Sequence, residues 1–471
     1  MSRINTNVSS LIAQRVLRKN NDNLNTSLQR LSTGLKINSG ADNPAGLIAS
    51  ENLRAEKSGI TQAIDNAGRA SNIIGTAEGG LNEVSSLLTE LQSLVGQAAN
   101  SGGLSSEEVS ANQLQVDSIL GSINRIAGAT AFQGKKLLNG DYAYTTSGVA
   151  ASAFDSLQVN AAKLPDGQSV SVVISVANSA TVGNLAFSGA GLAGTNNVTL
   201  EVAGNAGTEQ LSFAGSSSNT AIATAINNIK EVTGVSATAS AAGIKFYSTG
   251  YGSDQFVSVK ATAGTFTVTG GTSGRDAGTD ASVKVNGAAA EASGKSITYR
   301  SNNLDLEFDL STDLNAGATK TIGITGGGAT FSLGSKVTES DKATIGINSV
   351  STGSLGDGTI GFLSTLASGG SNALTSGNLV SAQKVLDKAI KQVSQLRGRL
   401  GAFQKFTIGS TVNSLGVAYE NVSASESAIR DTDFAEETAA LTRSQILSQA
   451  ATTVLAQANA APQAALSLLR A

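Results

Sequence analysis

Residues 429–470 read IRDTDFAEETAALTRSQILSQAATTVLAQANAAPQAALSLLR, and this stretch decides how the rest of the chain is interpreted. Small and apolar residues recur in it at alternating steps of four and three, which places them on one stripe of a helix. The stripe consists of Leu447, Ala451, Val454, Ala458, Ala461, Ala465 and Leu468. Because alanine buries little apolar area, we expect this helix to need a partner before it is stable.

A matching stripe lies near the other end of the chain. It consists of Leu17, Leu24, Leu28, Leu31 and Leu35, with Asn21 interrupting an equivalent position. The first 36 residues are mostly basic where they are charged and the last 46 are mostly acidic, which favours antiparallel pairing slightly. The sequence therefore predicts that the two chain ends pack side by side.

Two inner segments keep the same three-four repeat and predict long helices. Their seam residues are Leu81, Val84, Leu88, Leu91 and Val95 in the first segment, and Leu386, Val393, Leu396, Leu400 and Phe403 in the second. Asn43 before Pro44 predicts one helix start, and Ser105 with Glu108 predicts a capping box at another. We interpret these two seams as core within one chain.

The middle of the chain, residues 141–340, is rich in glycine, serine, threonine and β-branched residues and is typical of short strands. The clearest strand is 304–310, where Asp305, Glu307 and Asp309 alternate with apolar residues. The spacing lacks the ligand set of a calcium loop, so we expect these carboxylates to form a solvent-exposed strand face. A short helix is predicted over 220–232. The predicted fold class is α+β: long coiled-coil-like helices from both termini packed together, with a central β-rich insertion that forms one or two outer domains.

Composition argues against most enzyme classes. The chain has no cysteine, histidine or tryptophan, so thiol nucleophiles, Ser-His-Asp triads and zinc sites with His or Cys ligands are excluded. We predict no catalytic residues, no cofactor and no metal. The net charge of -3 indicates no nucleic-acid partner. The sequence shows neither a Sec-type signal nor an apolar run long enough for membrane insertion, which favours a cytosolic protein or one exported without cleavage.

Both ends of the chain resemble bacterial flagellins. The N-terminal resemblance rests on residues 4–7, 28–39 and 42–46, and the C-terminal resemblance on residues 429–435, 445–447, 454–459 and 466–470. It covers roughly residues 1–140 and 376–471. Two ordered matches at opposite ends are far more specific than a single short motif.

This resemblance implies a structural subunit that self-assembles into the helical flagellar filament and propels the swimming cell. Residues 1–40 and 430–471 would form an inner domain, ordered only on assembly. Residues 41–140 and 341–429 would form a helical shell with a short β-hairpin, and residues 141–340 the surface-exposed outer region. The implied partners are other copies, the export apparatus, a secretion chaperone, and the cap and hook-junction proteins, with O-glycans on outer Ser and Thr residues left open. The implied location is the extracellular filament, reached without a cleaved signal peptide.

Three alternatives remain at the level of sequence. A hook-filament junction protein shares similar terminal helices, although the large insertion favours the filament subunit. A cytosolic coiled-coil adaptor is less favoured. A flagellin that carries a metallopeptidase insertion is opposed by the absence of histidine.

One segment departs from the flagellin pattern. Residues Thr89, Glu90, Leu91, Gln92 and Leu94 lie where many flagellins carry arginines that a Toll-like immune receptor recognises. Glu90 and Gln92 stand in place of two such arginines. The resemblance therefore implies weak activation of that receptor.

Overall fold

The computed structural model describes residues 6–100, 103–150, 152–165, 168–189, 191–192, 197–312, 314 and 316–470, and it leaves the side chains of 461–470 undescribed. Its helices are α1 (Val8–Thr33), α2 (Pro44–Ala98), α3 (Ser106–Ala129), α4 (Asn219–Asn228), α5 (Lys230–Thr233), α6 (Leu379–Ala402), α7 (Gly409–Arg430) and α8 (Phe434–Arg470). A π-helical segment, Phe403–Ile408, follows α6. Short 3-10 turns lie at Glu339–Asp341, Leu363–Leu366 and Leu374–Ser376.

The strands are short and lie mostly in the middle of the chain. They are β1 (Ala131–Phe132), β2 (Lys135–Lys136), β3 (Thr145–Ser147), β4 (Phe154–Ala162), β5 (Val170–Asn178), β6 (Asn184–Ser188), β7 (Val198–Gly204), β8 (Thr208–Phe213), β9 (Val235–Ser240), β10 (Gly243–Ser248), β11 (Phe256–Ala263), β12 (Val268–Thr269), β13 (Arg275–Ala277), β14 (Ser282–Val285), β15 (Ala288–Ala289), β16 (Glu291–Ser293), β17 (Ser296–Arg300), β18 (Leu304–Leu310), β19 (Thr319–Gly326), β20 (Ala329–Ser332), β21 (Lys342–Ile345), β22 (Gly356–Asp357) and β23 (Gly361–Phe362).

The chain separates into two compact units. The first consists of Met1–Gly68, Leu333–Asp341 and Gly409–Ala471, and the second of Arg69–Ser332 and Lys342–Ile408. The first unit is almost entirely helical. The second holds the inner helical seams and all of the paired strands.

Local signals explain where the helices of the first unit begin and end. The side chain of Asn7 accepts a hydrogen bond from the amide of Ser10 at 3.1 Å, which caps α1. Gly34 ends α1 in the left-handed conformation, with φ of 73°. Asn43 accepts from the amide of Gly46 at 2.9 Å, which confirms the start predicted at Pro44.

Ion pairs join α2 to α7 in this unit. Glu51 Oε1 lies 2.8 Å from Arg430 Nη1, and Glu426 Oε2 lies 3.3 Å from Lys57 Nζ. The Arg54 and Arg430 side chains, which donate to Glu51, hold the pKa of this carboxyl below its usual value. The partner in α7 moves back from Arg430 to Glu426 as the residue in α2 moves forward from Glu51 to Lys57, so the two helices run antiparallel.

The inner seams are buried in the second unit. Leu81, Val84, Leu88, Leu91, Val95, Leu386, Val393, Leu396 and Leu400 are each at most 3% exposed. Phe403 is half-buried at the start of the π-helix, with its ring centroid 6.0 Å from that of Phe331. The capping box at α3 is confirmed, since Ser105 and Glu108 exchange both hydrogen bonds.

The β-rich region contains two hydrophobic cores. In sequence, the strands of the second core, β6 to β13, lie between β5 and β14 of the first. Sheets β15-β14-β5-β19-β3 and β16-β17-β18-β4 enclose the first core, which includes Ile174, Leu306 and Phe308. Sheets β12-β6-β10-β9 and β13-β11-β7-β8 pack with α4 around the second, which includes Ile226 and Phe246. The strands of both are paired antiparallel. The helix predicted over 220–232 is split, because α4 ends at Asn228 and a separate turn, α5, begins at Lys230.

The prediction of a solvent-exposed acidic face on β18 is wrong. Leu304–Leu310 is the strand predicted, but its three carboxylates are half-buried, and Asp305 and Asp309 have ion-pair partners. Asp309 lies 3.6 Å from Lys388 of α6, and Asp305 lies 3.7 Å from Arg300. Alternation predicted which side chains point inward, but it could not show that a helix covers the other face.

Candidate assembly surface

Helices α1 and α8, here called the terminal pair, run antiparallel in the first unit. The Nδ2 atom of Asn7 donates to the carbonyl oxygen of Ala458 at 2.7 Å, near the start of α1. At the other end of α1, Arg30 Nη1 lies 3.5 Å from Glu437 Oε2. The amide of Lys36 then donates to Arg430 at 2.7 Å, so the register holds from Asn7 to the turn after α1.

The face along which the terminal pair meets has small or polar residues at its most buried positions and half-buried leucines between them. Its buried residues are Ser10, Ala13, Asn20 and Ser27 of α1, and Glu437 and Ala451 of α8, each less than a tenth exposed. Asn20 donates to the carbonyl oxygen of Leu447, and Ser10 donates to Asn459. Such a face provides partners for Asn20 and Ser10, although Arg30 Nε is buried without one, and it buries little apolar area, so the pair gains little hydrophobic stabilisation from itself.

Large apolar side chains of the terminal pair point away from that face. We call them the outward set, and their exposed fractions lie between 44% and 61%. The set consists of Val8, Leu11, Ile12, Val16 and Leu28 on α1, and of Phe434, Ile446, Leu447 and Val454 on α8. Concentrated exposed apolar surface marks an interaction site rather than a solvated face.

The predicted stripes only partly coincide with the pairing face. Leu17, Leu24, Leu31 and Leu35 are half-buried, as is Ala458, and Ala451 is buried. Leu28, Leu447 and Val454 belong to the outward set instead. The asparagine in the seam is Asn20, whereas Asn21 is exposed and accepts from Ser448. Ala461, Ala465 and Leu468 lie outside the described side chains.

Sequence reasoning missed the polar members of the pairing face, namely Ser10, Asn20 and Ser27. A signal for them was present, because residues 10, 13, 17, 20, 24, 27 and 31 follow steps of three and four without a break. A search restricted to apolar residues passes over the three positions of this seam that are serine or asparagine. The apolar stripe that such a search finds mixes half-buried leucines of the seam, Leu17, Leu24 and Leu31, with Leu28 of the outward set.

The segment that departs from the immune-receptor pattern lies on α2 in the second unit. Thr89, Glu90 and Gln92 are exposed, whereas Leu91 and Leu94 are buried in the seam. An external protein could therefore contact the three polar side chains but not the two leucines.

The described residues show neither a metal-binding cluster nor a membrane-spanning helix. Among them, no group of three or more acidic or metal-ligating side chains could hold a metal ion. No helix in the described part of the chain is both long and apolar enough to cross a membrane.

Comparisons with known proteins agree with this helical pair at the chain ends. The family model for the bacterial flagellin N-terminal helical region matches residues 4–143, and that for the C-terminal helical region matches residues 383–469. Flagellin B of Vibrio cholerae serotype O1 is 32% identical over 467 residues, which cover 99% of both chains. The chain belongs to the bacterial flagellin family.

Other flagellins match over the same span. Polar flagellin B/D of Vibrio parahaemolyticus is 30% identical and B-type flagellin of Pseudomonas aeruginosa is 31% identical, each with 99% of both chains covered. This flagellin is accordingly a structural subunit of the extracellular flagellar filament, and it polymerises with copies of itself. The α+β fold predicted from the sequence is confirmed, and nothing favours the junction-protein alternative.

Proposed function

We propose that this flagellin polymerises through the outward set of its terminal pair. The observation that carries this proposal is that nine large apolar side chains stay 44% to 61% exposed on the terminal pair, while the most buried positions between its helices hold serine, asparagine, alanine and Glu437 and the leucines there are only half-buried. In a protein that works alone, the larger apolar residues would be expected between the helices. Here they become buried only when neighbouring subunits cover them.

Assembly then supplies the stabilisation that the pair lacks. Burying a leucine or isoleucine side chain contributes about 1.5–3 kcal/mol. Nine members of the outward set could together contribute much more than the polar pairing face does. We infer that the terminal pair becomes ordered as it joins the filament, which is folding coupled to association.

The same proposal assigns each part of the chain a position in the filament. Residues 1–40 and 430–471 would form the inner contacts, residues 41–140 and 341–429 the surrounding shell, and residues 141–340 the outer surface. A terminal pair that is unfolded before assembly suits export through a narrow apparatus with a secretion chaperone and without a cleaved signal. The outward set would also contact the cap and hook-junction proteins at the two ends of the filament. Exposed Ser and Thr residues of the outer region would be available for O-glycosylation.

A test of the assembly surface uses two matched variants of α8. In the first, Ile446→Ser and Leu447→Ser remove two members of the outward set. In the control, Gln445→Ser and Gln449→Ser change two exposed polar residues on the same helix. We expect the critical concentration for polymerisation to rise at least about tenfold in the first variant, which corresponds to about 1.4 kcal/mol, and to stay near wild type in the control.

The measurement is sedimentation of filaments after seeding, with electron microscopy to verify their form. Circular dichroism of the unpolymerised proteins checks that the variants do not differ in the shell and outer regions. Equal critical concentrations for the two variants would contradict the proposal. A chain that lacks residues 431–471 should remain monomeric under the same conditions.

Weak activation of the Toll-like receptor is a separate hypothesis about the exposed residues of α2. Introducing Glu90→Arg and Gln92→Arg should raise the signal in a receptor reporter assay. The control is Glu83→Arg on the same helix, which is also exposed. A strong response from the wild-type chain would overturn the hypothesis.

A further inference from the structure

The half of the terminal pair that contains the start of α1 carries charge of one sign. We call it the distal half, and it consists of residues 8–20 of α1 and 444–460 of α8, which lie side by side. Its charged side chains are all exposed cations, namely Arg15, Arg18 and Lys19. The sequence has no aspartate or glutamate before Asp22 or after Glu437. The distal half therefore has no acidic side chain of its own.

One carboxylate lies close to this cluster. Asp22 follows Arg18 by one helical turn, but it has no ion-pair partner among the described residues. Exposed Arg443 of α8 lies at about the same level of the pair, because Leu447 is opposite Asn20 and the helices run antiparallel. The cations at this level therefore outnumber the carboxylate.

Large apolar side chains share the outward face with these cations. Residues spaced three or four apart lie on one side of a helix. That spacing places Arg15 beside Leu11 and Ile12 of the outward set, and it places Lys19 beside Val16. The distal half therefore presents apolar and cationic side chains together.

Such a surface is typical of helices that lie at a membrane surface. Their apolar side chains enter the boundary between head groups and acyl chains, and their lysine and arginine side chains contact anionic head groups. The long aliphatic stems of arginine and lysine let the charged ends reach the head groups even from among apolar neighbours. The apolar side chains alone would fit another protein equally well, but the cations add a requirement for an anionic partner.

The terminal pair of a second copy offers these cations no uniformly acidic surface. Its acidic side chains are concentrated in residues 431–437, where Glu437 pairs with Arg30. Lys36 and Arg430 lie at the same end of the pair, joined by a backbone hydrogen bond. Because that end carries both signs of charge, we expect it to attract a cationic helix only weakly.

We propose that the distal half of the terminal pair binds a membrane surface rich in anionic lipids before the chain polymerises. The apolar members of the outward set on α1 enter the boundary between head groups and acyl chains, while Arg15, Arg18 and Lys19 contact the lipid phosphates. The contact is interfacial, because no helix in the described part of the chain is both long and apolar enough to cross a membrane. It is reversible, because a few apolar side chains and three cations hold a chain far less firmly than a membrane span does.

The inference rests on the proposed function in one respect, because the same outward face is covered by neighbouring subunits in the filament. Filaments should therefore not bind vesicles, whereas the unpolymerised chain should. Vesicle binding by the unpolymerised chain can be measured whether or not the outward set makes the filament contacts. Filaments that bind vesicles as well as the free chain does would contradict the terminal-pair proposal and leave the membrane inference standing.

The test uses the unpolymerised full-length chain and two kinds of vesicle. One kind contains phosphatidylcholine alone, and the other contains phosphatidylcholine with an equal amount of phosphatidylglycerol. Cosedimentation measures binding, and circular dichroism measures the helix gained as the terminal pair orders on the surface. We expect binding to the phosphatidylglycerol vesicles only, and we expect it to weaken as the salt concentration rises.

A charge variant and a matched control identify the side chains that bind. The charge variant carries Arg15→Gln, Arg18→Gln and Lys19→Gln. Each cation near an anionic surface accounts for about a fivefold change in partitioning, so the three changes together should weaken binding roughly a hundredfold. The control carries Lys135→Gln, Lys136→Gln and Lys245→Gln, which remove the same charge from exposed positions of the second unit, and it should bind as wild type does.

Equal binding to the two kinds of vesicle, or equal binding by the charge variant and wild type, would overturn the inference. A charge variant that binds vesicles normally but polymerises only at a higher concentration would show that the cations contact a second copy instead. Leu11→Ser with Ile12→Ser gives an independent readout, because it removes apolar side chains and no charge. We expect weaker binding of this variant at every salt concentration, and unchanged binding would contradict the proposed contact with the acyl chains.

Discussion

The Nδ2 atom of Asn20 donates a hydrogen bond to the carbonyl oxygen of Leu447, 3.1 Å away across the terminal pair. Asn20 is 9% exposed, so this polar side chain is buried in the seam between two helices. In coiled coils a single buried asparagine fixes the register at some cost in stability. We interpret Asn20 in the same way, because a shift of α8 along α1 would leave its amide without this acceptor.

Replacing Asn20 with alanine should weaken the filament. The loss of one partly buried hydrogen bond costs about 1 kcal/mol, which corresponds to roughly a fivefold rise in critical concentration. Asn21→Ala is the control, because Asn21 is exposed and its bond to Ser448 is open to water. Sedimentation of the two variants side by side measures the difference, and a larger effect at Asn21 would refute the role of Asn20.

Gly59→Ala should disturb the segment Leu333–Asp341, which lies against α2 at Ser335. A Cβ atom at Gly59 would lie 2.4 Å from the carbonyl oxygen of Ser335, so either α2 or the segment must move. Gly68→Ala on the same helix has open space and should instead stabilise the helix by about 0.5–1 kcal/mol. Thermal unfolding of the two monomers should therefore change in opposite directions. A Gly59→Ala variant as stable as Gly68→Ala would show that the segment is not held against α2.

The sequence predicted the inner seams well because their helices bury apolar residues within one chain. From Leu81 to Leu400, the leucines and valines chosen for their spacing are also the buried ones. In that situation the apolar stripe and the intrachain contact are the same surface, so periodicity alone is sufficient.

The terminal stripes are harder to predict because the pairing face and the outward set lie side by side on each helix and repeat with the same spacing of three and four residues. Ala451 lies on the pairing face, but Leu447 and Val454, which belong to the same predicted stripe, lie on the outward side. Hydrophobicity identifies the surface that will be buried, whichever molecule buries it. The sequence of one chain does not distinguish a partner helix in the same chain from one in the next subunit.

The inner seam itself should be sensitive to truncation. Leu88 is fully buried, and Leu88→Ala should lower the free energy of unfolding by about 2–5 kcal/mol through lost apolar contacts and the cavity left behind. The neighbouring Thr89 is exposed, so Thr89→Ala should change stability by less than about 0.5 kcal/mol. Denaturant unfolding of the monomers tests both values. A small effect at Leu88 would mean that the helices repack around the lost side chain.

The link between the two β-rich cores should depend on pH through Asp280. Its Oδ1 atom accepts hydrogen bonds from the amides of Ser253 and Gly294 at 3.0 and 2.7 Å, and its Oδ2 atom accepts from the hydroxyl of Ser253. Ser253 belongs to the loop between β10 and β11, and Gly294 to the turn between β16 and β17. One carboxylate therefore holds a loop of the second core to a turn of the first.

These hydrogen bonds favour the ionised form, and the Ser253 side chain is the largest cause of a pKa below the ordinary value of 3.8. The stabilisation is therefore fully present above pH 3.8 and is lost as the pH falls through the lower pKa of the folded state. Asp280→Asn imitates the protonated form at all pH values. We expect it to be less stable than wild type at pH 7, with the difference closing below pH 3.8.

Hydrogen exchange at the amides of Ser253 and Gly294 reports on this link directly. At pH 7 the Asp280→Asn variant should exchange these two amides faster than wild type, while Asp254→Asn, an exposed change in the same loop, should not. Thermal unfolding across the pH range gives the stability difference. If wild type and Asp280→Asn differ equally at pH 7 and pH 2.5, the carboxylate charge does not hold the two cores together.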